Sequence, residues 1–361
     1  MKERHGGDVY RNNVNMDFSV SVNPLGMPEA VKRALYDAVK DSVSYPDITA
    51  ENLKKAVGNM LGLPREYLLF GNGASELFMA VVHGIKPKKT VIPVPSFYGY
   101  EYAAEAVGGE VVYYGMKREG SFGREKENAF CPAEEKGFYL NEDFFEALTK
   151  DVDLLFLANP NNPTGGMVNK EYLKKLLVRC RMQKIIVVLD ECFIEFCGEE
   201  QSMLKDVEQF ENLILVRAFT KIFAIPGVRL GYLSCSSPVL LEKIRRQLPE
   251  WNVSGFAQAA GIACSLQENF IAGTVDYVKK ERQFLEKGLK ELGITVISGK
   301  ANFILVYSKR PLYEELLKRG ILIRDCDNFR GLSEGFYRIA VKSREENRIL
   351  LKTIGEIQWE K

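Results

Sequence analysis

Between residues 67 and 234 the chain alternates short apolar runs with longer amphipathic ones. Runs rich in β-branched and aromatic residues fall at 67–71, 90–95, 110–114, 153–159, 184–190, 213–217 and 228–234. Several are apolar throughout, as a strand covered on both faces should be. Between them, 74–84, 97–107, 170–181 and 238–247 read as helices, and Leu173, Leu176 and Leu177 recur at helical spacing in the third. This rhythm predicts a largely parallel sheet with helices on both faces.

Beyond residue 248 the pattern changes. A long helical stretch over 256–292 leads into short strands at 302–307 and 336–341, and a closing helix begins at Arg344. We read a large domain over 32–248 and a smaller α+β domain formed by 1–31 with 249–361. Residues 117–137 are charged and aperiodic, which suggests a surface excursion.

Composition narrows the function. Hydrophobic residues make up 46% of the 361 and charged residues 27%, which is ordinary for a globular protein. Lys+Arg number 49 against 48 Asp+Glu, so no charge excess favours nucleic acid or an anionic membrane as a partner. Apolar runs such as 185–189 fall far short of the roughly 18 residues of a membrane-spanning helix. The start, MKERHGGDVY, holds no apolar signal-peptide core. Seven scattered cysteines without a C-x-x-C pair suggest reduced thiols in a cytoplasmic protein, not a disulfide frame or zinc site. With only His5 and His83, the chemistry must lean on Lys, Arg, Asp or a cofactor.

Ligands of an open α/β sheet bind outside the carboxyl ends of its strands, and three motifs fall there. The turn Gly71-Asn72-Gly73-Ala74-Ser75-Glu76 opens a helix, whose free N–H groups suit an anion, although many such turns bind nothing. NPNNPTG at 159–165 is equally at home as a plain turn. Asp190 closes an apolar run, where it is either a functional carboxylate or a cap. The stretch AFTKIFAIPGVR is more specific: Lys221 sits among apolar residues, where desolvation makes an amine nucleophilic. Pyridoxal phosphate requires an imine-forming lysine, a carboxylate at its ring nitrogen, a phosphate cup and a polar contact to its ring oxygen. Lys221, Asp190, the 73–75 turn with Thr220 and Arg229, and Asn162 supply all four.

On these motifs the chain resembles the fold-type I pyridoxal-phosphate aminotransferases over essentially its whole length. The resemblance implies a mostly parallel seven-stranded sheet in a large domain beside a smaller α+β domain. It also implies Lys221 as the Schiff-base lysine, Asp190 at the pyridine nitrogen and Asn162 at the ring oxygen. Gly73, Ala74, Ser75, Thr220 and Arg229 would hold the cofactor phosphate, with Phe97 of PSFYGY, or alternatively Tyr98, stacked on the ring. Arg338 of FYRIAV matches the arginine that clamps the substrate carboxylate. Tyr45 of SYPD matches a tyrosine reaching the neighbouring subunit's cofactor, which implies a homodimer.

Within the family the chain is similar to the branch holding histidinol-phosphate aminotransferase and L-threonine-O-3-phosphate decarboxylase of cobalamin synthesis. HGGD, SVNPLG, TKIFAIPGVRLGYL, GKANFILV and IRDCDNFRGL resemble the decarboxylase. So does Phe193 of DECF, where the aminotransferases generally carry a tyrosine. Both reactions use a phosphorylated amine, and Arg324, His5 and Asn23 are candidates for binding it, with Arg330 in reserve. Decarboxylation and amino transfer to 2-oxoglutarate both remain open at this point. Aminotransferase-like domains also serve as sensing modules behind DNA-binding domains, but no basic helix-turn-helix precedes the large-domain pattern here.

Overall fold

The computed structural model describes residues 5–118 and 137–357. Most of the 117–137 excursion lies outside the described residues, as does Cys131; the six other cysteines are free thiols.

Seven strands form the central sheet: β1 (Leu68–Gly71), β2 (Lys89–Val94), β3 (Glu110–Gly115), β4 (Leu154–Ala158), β5 (Ile186–Asp190), β6 (Leu213–Ala218) and β7 (Gly231–Ser234). Their spatial order is β1-β7-β6-β5-β4-β2-β3. Only β7 runs against its neighbours; every other pair is parallel. Six carboxyl ends therefore share one edge. Alternation along the central strands fills both faces. Leu154, Phe156, Val188 and Ile214 enter one core, while Leu155, Leu157, Val187 and Leu213 enter the other.

A second, antiparallel sheet holds β8 (Thr295–Ile297), β9 (Phe303–Tyr307), β10 (Arg324–Asp325) and β11 (Phe336–Ala340), in the order β8-β9-β11-β10. The N-terminal segment joins this unit: Met16–Asp17 pairs with Ile321–Leu322, and Ala340 N–H donates to Phe18 O at 2.8 Å.

The structure corrects two element boundaries and adds two helices. The stretch 256–292 is two helices, Gly255–Cys264 and Glu268–Glu291, because the chain turns at Ser265–Gln267. The strand expected from residue 228 starts at Gly231, since Arg229 takes a left-handed backbone (φ 61°). Helices Glu29–Asp41 and Glu51–Leu61 had no counterpart in the periodicity reading. The first is amphipathic, burying Val31 and Ala38 and packing Leu35 against the core.

Candidate active site

At the carboxyl edge of the large sheet, facing the small one, lies a cavity of about 410 Å³. Lys221 reaches it from the one-turn helix Phe219–Ile222, which follows β6 directly. That turn is anchored from the N-terminal segment. Asn23 N–H donates to Lys221 O at 2.9 Å. The Asn23 amide nitrogen donates to Ile222 O at 2.7 Å and Thr274 Oγ1 at 2.8 Å. The structure thus gives Asn23 a holding role behind the lysine, and its side-chain donors are spent away from the cavity. Burial, reinforced by Arg338 and Arg229, pushes the Lys221 ammonium down to about 8.

Asp190 ends β5 inside the same cavity. Its Oδ2 accepts from Tyr100 Oη at 2.5 Å, and its Oδ1 accepts from Cys192 N–H at 2.9 Å. Burial raises this carboxyl, while Cys192, Tyr100 and Lys221 hold it back. Packing fixes the Tyr100 ring: it stacks on Phe156 at 5.1 Å and meets Phe78 and Phe97 edge-on. Sequence reading missed Tyr100 and Cys192. A signal for Tyr100 existed: it lies three residues after Phe97, a spacing that places two side chains on one helix face.

In NPNNPTG, turn and site divide the residues between them. Asn159 Oδ1 accepts from Val168 N–H, and the Asn161 amide donates to Pro95 O and Thr164 Oγ1, so these residues shape the loop. Asn162 lines the cavity, and its Oδ1 accepts from Arg338 Nη1 at 2.5 Å. A guanidinium only donates, so the oxygen must face Arg338 and the NH₂ is left for another partner. Phe193 offers no hydroxyl there; it packs edge-on against Phe303 at 5.1 Å.

The phosphate-cup candidates also assemble. Ala74 and Ser75, at the start of the helix Ala74–Ile85, line the cavity with Thr220 and Arg229. Gly73 has φ 82°, and a Cβ there would lie 2.4 Å from Arg229 Nη2. Gly231 is equally constrained, since its Cβ would stand 2.8 Å from Ala74 N. Two glycines, a helix N-terminus, a hydroxyl and a guanidinium make a cradle suited to a phosphate dianion. With Asp190, Asn162 and Lys221 beyond it, the donor set fits pyridoxal 5′-phosphate.

Across the cavity stand two buried arginines. Arg338 on β11 and Arg324 on β10 are register partners. Arg338 Nη2 donates to Ser19 O at 2.9 Å, while its buried Nε has no acceptor. Burial, with Arg324 nearby, lowers Arg338 to about 10. Arg324 donates to Asn328 Oδ1 at 2.8 Å and lies over the Phe329 ring. Two desolvated cations side by side favour an anionic ligand. His5 lines the cavity, its ring 5.9 Å from that of Phe97. Arg330 lies outside it, paired with Glu101 at 3.0 Å. Tyr45 is 83% exposed against Trp251 and lines no part of its own chain's cavity.

The family model for aminotransferase class I and II matches residues 13–354. The chain is 34% identical to threonine-phosphate decarboxylase of Salmonella typhimurium, over 95% of this chain and 91% of that protein. It is 30% identical to histidinol-phosphate aminotransferase of Methanothermobacter thermautotrophicus, covering 93% and 87%. The crystal structure of histidinol-phosphate aminotransferase from Clostridium acetobutylicum superposes with a TM-score of 0.84 at 32% identity, covering 94% of this chain and 98% of that one.

Proposed function

The chain belongs to the class I and II aminotransferases, and from that membership we propose that it decarboxylates L-threonine O-3-phosphate to 1-amino-2-propanol phosphate, a step of cobalamin biosynthesis. It is an enzyme, and its cofactor is pyridoxal 5′-phosphate. The observation that carries the reading is the arginine pair. Arg338 and Arg324 face the cavity from opposed positions on neighbouring antiparallel strands, whose Cα atoms lie about 4.5–5.5 Å apart in such pairs. A carboxylate and a phosphate separated by a few bonds can be gripped there together. The similarity to the Salmonella decarboxylase and the missing hydroxyl at Phe193 support the same choice.

When bound, the cofactor supplies an electron sink for the charge left at Cα as the carboxylate departs. The protein's own residues do the rest. Asp190, whose charged form Tyr100 and Cys192 favour against the effect of burial, would face the pyridine nitrogen and favour a proton there. The phosphate cradle and Phe97 would fix the ring. Arg338 and Arg324 orient the Cα–carboxylate bond, and Lys221 carries the proton that replaces carbon dioxide at Cα.

A second reading, amino transfer from histidinol phosphate to 2-oxoglutarate, is favoured by the structural match to the Clostridium enzyme. One assay separates the two: each phosphorylated amine is supplied with and without 2-oxoglutarate, and carbon dioxide and glutamate are measured. Carbon dioxide from threonine phosphate without a keto acid is expected. Glutamate from histidinol phosphate, with threonine phosphate inert, would overturn the proposal.

The active form we propose is a cytoplasmic homodimer in which Tyr45 completes the neighbour's phosphate cradle. Exposed Tyr36, Val39, Val43, Tyr45 and Ile48, close in sequence, supply apolar surface for a second copy. Mixing Lys221→Ala with Tyr45→Phe subunits is expected to restore one intact site per heterodimer; a monomer in sedimentation at micromolar concentration would refute the arrangement. We also retain 32–248 as the large unit. Among the described residues no helix is long and apolar enough to cross a membrane.

A further inference from the structure

A second cavity, of about 380 Å³, lies outside the first. Phe97, Arg324 and Phe329 line both, so these three side chains form the partition between them. Phe97 belongs to the large unit; Arg324 and Phe329 belong to the small one. The segment carrying Phe329 is tied to its own sheet by Cys326 N–H donating to Phe336 O at 2.9 Å. It is tied to the large unit by Arg330. That guanidinium pairs with Glu101 through Nη2 at 3.0 Å and Nε at 3.4 Å, and lies 3.9 Å from the centroid of the Tyr113 ring. Gly331 follows with φ 86°, and a Cβ there would stand 3.3 Å from Pro95 N. The two units therefore touch here at backbone distance.

We propose that Arg330, clasped between Glu101 and Tyr113, is the specificity-determining residue that fixes this partition and confines the site to compact phosphorylated amines. The inference rests on the reading of a phosphorylated substrate above. The inner cavity must hold cofactor and substrate together. With the partition in place, a substrate whose phosphate lies two or three bonds from the amine-bearing carbon fits inside. One with an added ring must extend into the outer cavity, past Phe329. Arg330 is about half exposed, so its pairing adds little stability. It decides where Phe329 and Arg324 stand, not whether the fold survives.

The experiment uses the holoenzyme and two probes, L-threonine O-3-phosphate and histidinol phosphate, with half-saturation read from the cofactor's visible absorbance. Arg330→Ala is expected to lower the ratio of long-probe to short-probe half-saturation at least about tenfold, leaving cofactor affinity and thermal midpoint unchanged. Glu101→Gln should move the ratio the same way, and the double variant no further, because both act through one clasp. In wild type, 0.5 M salt should erode the discrimination through screening (Debye length about 4 Å); in Arg330→Ala it should not. A ratio within twofold of wild type in both single variants would overturn the proposal. Should wild type release no carbon dioxide from threonine phosphate, the decarboxylase reading fails, while the binding ratios still decide the partition.

Discussion

The two walls of the cavity are built differently. On the large-sheet side, functional groups sit at strand ends or within four residues beyond them, with polar atoms engaged by neighbours: Asp190 by Tyr100 and Cys192, Asn162 by Arg338, the Lys221 turn by Asn23. The small-sheet side presents buried cations, Arg338 with an unpaired Nε and Arg324 beside it, on short strands and a loop. The first wall is preorganised for a permanent guest. The second holds buried cationic charge, with Arg338 Nε lacking an acceptor, and an incoming anion would be favoured there. On the function we propose, the contrast would separate cofactor chemistry, set by the strand ends, from substrate choice, set by the small-sheet side.

Substitutions on the two walls should therefore fail differently. The largest effect belongs to Lys221→Ala, which removes the amine we propose binds the cofactor covalently. We expect turnover to fall by at least about a thousandfold and the cofactor's imine absorbance to disappear, with the fold retained. On the opposite wall, Arg338→Lys keeps the charge but loses the fork. We expect KM to rise roughly tenfold to a hundredfold while cofactor affinity holds, measured by titration and steady-state kinetics. Equal losses of cofactor affinity in both variants would dissolve the distinction between the walls.

Tyr100→Phe sharpens the comparison, because Tyr100 does not line the cavity and acts on it through Asp190. Removing its hydroxyl takes one donor from a buried carboxylate and lets burial raise Asp190 further. A net hydrogen bond to a charged group contributes about 1.5–3 kcal/mol. We expect a fall in kcat of roughly tenfold to a hundredfold and a shifted pH midpoint of the cofactor's visible band, with KM little changed. The smallest effect is one of pH. Burial and two nearby guanidinium groups hold Lys221 at about 8, so its neutral, nucleophilic form dominates above that pH. Capture of pyridoxal phosphate by the apoprotein should accelerate as pH rises through about 8 and level off beyond it. A midpoint near 10 would show that the amine is not desolvated.

Much of the cofactor wall was legible in the sequence because strand ends announce themselves. An apolar run followed by Asp190, or by Thr220 and Lys221, fixes both the element and the end that carries chemistry. Tyr100 was not read: its spacing from Phe97 hints at a shared face, but nothing local marks its pairing with Asp190, ninety positions away. The substrate wall was less legible still. Arg324 and Arg338 become neighbours only through antiparallel register, Asn23 is drawn behind the lysine by contacts with Lys221, Ile222 and Thr274, and Arg330 meets Glu101 across the two units. No local spacing encodes such encounters.

Decarboxylation and transamination differ in which bond to Cα is broken, and solvent deuterium reads that directly. In heavy water, L-threonine O-3-phosphate is given to the enzyme without a keto acid, and the amine product is examined by mass spectrometry and proton NMR. We predict 1-amino-2-propanol phosphate that keeps the original Cα hydrogen and carries one carbon-bound deuterium in place of the carboxylate, with one carbon dioxide released per product. Substrate recovered with its carboxylate intact and deuterium exchanged at Cα would contradict it.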